Sequence, residues 1–193
     1  MMDPMGKKGE DIRKHIVETA NRTFYRHGFQ ATSFADLAKD SGIPKGNYYF
    51  HFKSKDALLE AVIQDRIERL RAQLNGWEDA FPDPKDRLKR AVRMIENEQD
   101  DLATYGCPIG TLVSELVKNH PRRKTQLAGM LRLIETWLAE QVAALPYAPK
   151  EAQARARAML RAMQGAAMLT AAYGESAVIA ETVADLDALI DRL

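Results

Sequence analysis

A single cysteine, Cys107, in 193 residues excludes an internal disulfide and fits a reducing compartment. Long apolar runs are missing as well. The longest weakly polar stretch, residues 165–174, is too short to span a bilayer, and the opening MMDPMGKKGE lacks the apolar core of a secretory leader. The expected location is therefore cytoplasmic, in a bacterial cytosol, with no membrane partner. Net charge is only +1, so the chain as a whole carries no excess that announces nucleic-acid binding. Strand patterning, internal repeats, glycine-rich phosphate loops and zinc-ligand spacing are absent, and His15, His27 and His51 share no metal spacing with Cys107. No metal and no cofactor are expected.

What remains is globular in composition, 46% hydrophobic and 28% charged, with its charge unevenly placed. The head, residues 1–55, is basic through Lys7, Lys8, Arg13, Lys14, Arg22, Arg26, Lys39, Lys45, Lys53 and Lys55. The tail after Gly174 is acidic through Glu175, Glu181, Asp185, Asp187 and Asp191. Only the head would approach phosphate.

Helical periodicity dominates. Ile12, Ile16, Ala20 and Phe24 recur every four residues and Gly28 closes the run; Ser33 caps a short amphipathic helix from Phe34 to Asp40. Ser41-Gly42-Ile43 is a tight turn, and Pro44 suits the first position of a third helix. A linking helix after Ser54 carries Leu59, Ile63, Ile67, Leu70 and Leu74 and is broken between Gly76 and Pro84. Further helices are expected at about 84–104, 108–119, 122–145, 149–173 and 177–192. The fold class is all-α: a three-helix head, 1–55, joined within the linking helix to a larger helical domain, 56–193.

Residues 33–52 have the plan of a helix-turn-helix, in which a first helix holds a second, polar-faced helix in the major groove. Leu37, Ala38 and Ile43 supply the small inner core, leaving Lys45, Gly46, Asn47, Tyr48, Tyr49 and His51 on or near the outward helix. Gly46 permits close backbone approach, and Asn47 has the paired donor and acceptor that recognise adenine. Phe50 and Phe52 read as core; Tyr49 and His51 read as phosphate-facing. Lys53 and Lys55 are either a solvated pair or neighbours of the groove.

Residues 12–63, above all ATSFADLAKDSGIPKGNYYFHFKSKDALLEAVI, closely resemble the DNA-binding domain of the TetR family of bacterial regulators. The resemblance implies an all-helical homodimer that binds double-stranded operator DNA. It implies phosphate contacts from Ser33, Tyr49, His51 and Lys55, and base-facing positions at Lys45, Gly46, Asn47 and Tyr48. Asn47 stands where small hydroxyl residues are frequent in the family, so no operator preference carries over. Tyr105-Gly106-Cys107-Pro108-Ile109-Gly110-Thr111-Leu112 with Glu115 resembles a family subgroup with a Gly-Cys pair ahead of a glycine-containing helix, some members of which sense reactive or unsaturated compounds. Pro108 after the cysteine departs from that pattern.

The larger domain, rich in Met and carrying Trp137 and Tyr173, suits dimerisation and a small-molecule effector pocket. Candidate effector contacts are Met94, Glu98, Leu102, Cys107, Leu112, Glu115, Trp137, Met159 and Met163; the apolar ones equally suit plain core, and Glu98 and Glu115 matter only if they point inward. Residues 149–173 and 177–192 are the expected dimer helices, through the small-residue run Gln164-Gly165-Ala166-Ala167 and the stripe Leu186, Leu189, Ile190. Cys107, at a helix start, is either a reactive thiol at the pocket or a small packing hydrophobe. An enzyme using Cys107 and His120 is disfavoured by the helix that separates them, and a DNA-binding protein without ligand response leaves the tail unexplained.

Overall fold

The computed structural model describes residues 4–193; Met1, Met2 and Asp3, part of the segment read for a leader and of the charged head, lie outside the described residues. Among the described residues every regular element is helical, apart from turns and bends, with no strand. The chain divides into two compact units, one ending at Glu68 and the other beginning at Arg69.

In the first unit, α1 (Pro4–His27) buries Ile16, Ala20 and Phe24, the four-residue spacing that aligns side chains along one helix face. Phe24 meets Phe29 edge to face at 5.2 Å. The second helix, α2 (Phe34–Ser41), opens on a capping box: Ser33 Oγ accepts from the Asp36 amide while the Asp36 carboxylate accepts from the Ser33 amide, satisfying two otherwise orphaned donors. It ends at Gly42, whose φ of 69° is open to glycine at little cost and lets the chain double back in three residues. Pro44 stands one position outside α3 (Lys45–His51), as its cap rather than its first residue. Two hydrogen bonds lock α1 to its neighbours: Thr23 Oγ1 to Asp40 Oδ2 at 3.1 Å, and Arg66 Nε to Asn21 Oδ1 at 2.6 Å.

The linking helix, α4 (Lys55–Ala80), runs straight through Gly76, against the expected break there. A mid-helix glycine costs only about 1 kcal/mol, whereas Pro82 and Pro84 end the run because proline lacks the amide donor. Its early turns bury Leu58, Leu59, Val62 and Ile63, so they belong with the first unit, beyond the 55/56 division drawn from sequence.

The second unit comprises α5 (Pro84–Val92), α6 (Met94–Asn97), α7 (Gln99–Tyr105), α8 (Pro108–Asn119), a 3-10 turn (Pro121–Arg123), α9 (Lys124–Ala143), α10 (Pro149–Tyr173) and α11 (Ala177–Asp191). The single helix expected over 84–104 is thus three pieces. At Glu98 the backbone leaves helical geometry, φ −109° and ψ 13°, and Ile95 before it and Leu102 after it are both buried. The core gathers Leu88, Val92, Ile134, Trp137, Leu138, Met159, Met163 and Ile179. Gln141, buried within it, is held by Arg87 Nη1 at 3.0 Å and by Glu78 Oε1 at 3.2 Å.

Two expected interface features prove internal in part, with Gln164, Gly165 and Leu189 left half-buried. Leu186 and Ile190 are 6% and 0% exposed, and Ala166 and Ala167 are 3% and 1% exposed, all inside their own subunit's core. An amphipathic stripe declares that it will be covered, not by what; here α5, α9 and α10 share one core with it. No helix among the described residues is long and apolar enough to cross a membrane.

Candidate nucleic-acid interface

The seven-residue helix α3 is oriented by one side chain. Tyr48 is fully buried, its ring 5.6 Å from that of Phe34, and its hydroxyl lies 2.9 Å from both Leu37 O and Ser41 Oγ. Burial raises its pKa above the ordinary phenol value, with Asp40 adding to the shift and the Ser41 bond opposing it. The base-facing position implied for Tyr48 is therefore corrected: it is the pin that fixes α3 against α2. Four residues on, Phe52 is also buried, as expected, and its amide caps the helix on Tyr48 O.

That register decides everything else on α3, because each residue turns the helix by about 100°. Lys45 and Gly46 are exposed, Asn47 half-buried, Tyr49 57% exposed and His51 half-buried. Tyr49 leans its ring edge on Phe34 at 5.1 Å, with Lys45 Nζ 5.8 Å from its own centroid. Phe50, read from sequence as core, is 83% exposed; two residues beyond the buried Tyr48, it has nowhere to point but outward. The available signal was the four-residue spacing of Tyr48 and Phe52, which makes those two the inward pair.

Two implied phosphate contacts are engaged elsewhere. The Lys55 ammonium donates to Phe29 O at 2.9 Å, Gln30 O at 3.2 Å and Thr32 O at 2.9 Å, and stands 4.4 Å from the Phe29 ring centroid. An ammonium has three donors, and all three serve the loop after α1, so Lys55 is corrected to a structural clamp. Ser33 is exposed but its Oγ lies 2.6 Å from Asp36 Oδ2; these bonds from Ser33 hold the Asp36 carboxyl below its ordinary pKa. Lys53 is exposed beside α3.

Six effector candidates of the second unit converge. Leu102, Trp137, Met159 and Met163 belong to its buried core, and Met94 and Cys107 pack partly buried against it. Leu112 is also buried, while Glu115 is half-buried. Glu98 is exposed rather than turned inward, yet neighbouring atoms desolvate its carboxyl enough to raise its pKa, with Asp101 adding repulsion. Cys107 caps α8, its Sγ accepting from the Gly110 amide at 3.3 Å. A side chain at Gly110 would meet the flexible end of Gln164, Oε1, at 2.9 Å, so that side chain would have to move aside. Buried side-chain atoms without a hydrogen-bond partner include Trp137 Nε1 and Thr170 Oγ1. Among the described residues no group of three or more His, Cys, Asp or Glu could hold a metal ion.

Comparison with known proteins agrees with this geometry. Residues 16–62 match the family model for bacterial regulatory proteins of the tetR family. Residues 84–184 match the model for the C-terminal domain of LmrA/YxaF-like transcriptional regulators. The transcriptional repressor DhaR of a Mycobacterium species (strain GP1) is 30% identical over 66% of this chain and 62% of its own length, and the regulator LmrA of Bacillus subtilis is 28% identical over 59% and 62%. In fold, a TetR transcriptional regulator from Legionella pneumophila superposes with a TM-score of 0.82 at 20% identity, covering 91% of this chain and 95% of that one.

Proposed function

The chain belongs to the TetR family of bacterial regulatory proteins, DNA-binding helix-turn-helix transcription regulators, and from that premise we propose that it is a homodimeric repressor released from a palindromic operator by a small-molecule effector. The observation that carries the DNA half is α3 itself: Tyr48 and Phe52 hold it from within, while Lys45, Gly46, Asn47, Tyr49 and His51 are left at or near the surface. Asn47 reads a base edge, Gly46 lets the backbone approach, and Lys45, Tyr49 and His51 meet phosphate. A two-fold dimer through α10 and α11 presents two such helices to symmetric half-sites.

The effector half rests on the second unit's core. Buried polar groups are nearly always paired, and the unpaired Trp137 Nε1 and Thr170 Oγ1 offer a donor and a hydroxyl to a ligand inserted among Met94, Leu102, Leu112, Met159 and Met163. The Cys107 thiol, held at the start of α8 with its Sγ accepting from the Gly110 amide, is where an electrophilic effector would attach. Selection of bound sequences from random duplex DNA, followed by a compound screen for release, tests both halves. A symmetric consensus and compound-dependent release are expected; failure to enrich any sequence overturns the DNA reading, and a consensus that no compound releases leaves a regulator without effector.

A further inference from the structure

We propose that Phe50 is a sequence-reading side chain that selects a thymine in each operator half-site by packing its ring on the C5-methyl group in the major groove; this rests on the DNA-binding reading above. With Tyr48 pointing inward, the residues two before and two after it, Gly46 and Phe50, each lie about 160° round the helix from it. They share the outermost line of α3. A Cβ added at Gly46 would meet nothing within 4 Å, so the turn that precedes the exposed Phe50 ring on this line is bare backbone. The line facing a duplex is therefore a bare backbone turn followed by one aromatic ring.

Phe50 is 83% exposed, the most exposed of the large apolar side chains among the described residues, and its ring contact is with His51, edge to face at 5.0 Å. Having no hydroxyl, it has nothing to donate to a phosphate. The exposed Lys45 and Lys53 lie close by in the chain and set the charge of this surface against a polyanion. In the major groove, the thymine methyl is the feature a hydrocarbon ring can recognise, and it distinguishes T·A from the other pairs.

The test uses the full-length protein and the duplex selected from random sequence. Each thymine is replaced in turn by uracil, which removes only the methyl. Wild type is expected to lose about three- to five-fold in affinity at one symmetric pair of positions, the scale of one buried methyl group, and Phe50→Ala to be indifferent to uracil at those positions while still binding unrelated duplex at low salt as wild type does. Uracil sensitivity at no position, or sensitivity that persists in Phe50→Ala, overturns the thymine contact and leaves the DNA reading intact. An equal loss by Phe50→Ala on every sequence also overturns it, assigning the ring to the sugar-phosphate backbone. Absence of any selected duplex brings down the DNA reading itself.

Discussion

Lys55 Nζ sits 2.9 Å from the carbonyl oxygen of Phe29 and 4.4 Å from the centroid of the same residue's ring, so one cation holds both the backbone and the side chain that close the turn between α1 and α2. Replacing it with alanine leaves the carbonyls of Phe29, Gln30 and Thr32 without that donor. The expected result for Lys55→Ala is a loss of about 2 kcal/mol in unfolding free energy, the scale of hydrogen bonds to a charged group. The salt slope of DNA binding, measured on protein still folded, should stay that of wild type. Lys45→Ala should do the reverse, keeping stability and reducing the slope by about one. A Lys55→Ala protein of unchanged stability and reduced slope would restore that lysine to the phosphate backbone.

Tyr48→Phe tests the pin of α3. It removes only the hydroxyl that lies 2.9 Å from Leu37 O and Ser41 Oγ, and a cost of about 1 kcal/mol is expected by denaturant titration. Direct base reading by Tyr48 would instead appear as altered sequence preference with stability unchanged.

The helical plan, the cap at Ser33 and the turn at Gly42 were legible because each is a local property: a periodicity, a side chain bonding three residues away, a φ that favours glycine. The faces of α3 were legible only in part. Four aromatics in the run Tyr48-Tyr49-Phe50-His51-Phe52 invite sorting by polarity, tyrosine outward and phenylalanine inward. The fold sorts by register instead and exchanges Tyr48 with Phe50. The Lys55 clamp depends on three carbonyls from a loop more than twenty residues earlier, which no local pattern announces. The interior position of Leu186 and Ile190 depends likewise on α5, α9 and α10.

Glu98 gives the stability a pH dependence. Burial first, and Asp101 second, raise its carboxyl pKa in the folded protein, while in the unfolded chain it titrates near the ordinary value of about 4.3. Between those two values the folded state binds more protons than the unfolded one, so stability falls as pH rises through that window and stays lower above it. Glu98→Gln should therefore match wild type at pH below about 4 and melt higher at neutral pH. Equal melting temperatures at neutral pH would show the carboxylate to be fully solvated.

Cys107→Ser keeps a cap at the start of α8, where Sγ accepts from the Gly110 amide, and serine is among the better capping residues. DNA affinity and melting temperature are expected to hold. Release of operator by a thiol-reactive electrophile should vanish; release of the mutant at the wild-type electrophile concentration would rule the thiol out as the sensor.

Because α11 is built into its own subunit's core, truncation cannot report on the dimer. Cutting the chain after Gly174 would strip Ile179, Val183, Leu186 and Ile190 from their own subunit's core, and aggregation would follow whether or not α11 joins two subunits. The faces left open are different ones. On α10, Met168 and Tyr173 are 67% and 61% exposed, with Ala172 exposed between them; on α11, Ala177, Ala180, Ala184 and Ala188 are exposed at three- and four-residue spacing. Small residues so spaced let a partner helix approach closely, and two helices from each subunit about a two-fold axis make a four-helix bundle. Ala184→Arg puts a long charged side chain on that face while removing nothing from the interior. A monomer by light scattering is expected, with helicity preserved by circular dichroism and operator affinity sharply reduced, because each recognition helix then binds without its two-fold mate. Ala143→Arg, exposed on α9, is the control and should remain a dimer. Should Ala184→Arg and Met168→Glu both stay dimeric at micromolar concentration, the interface lies on another face, and α10 and α11 serve the core alone.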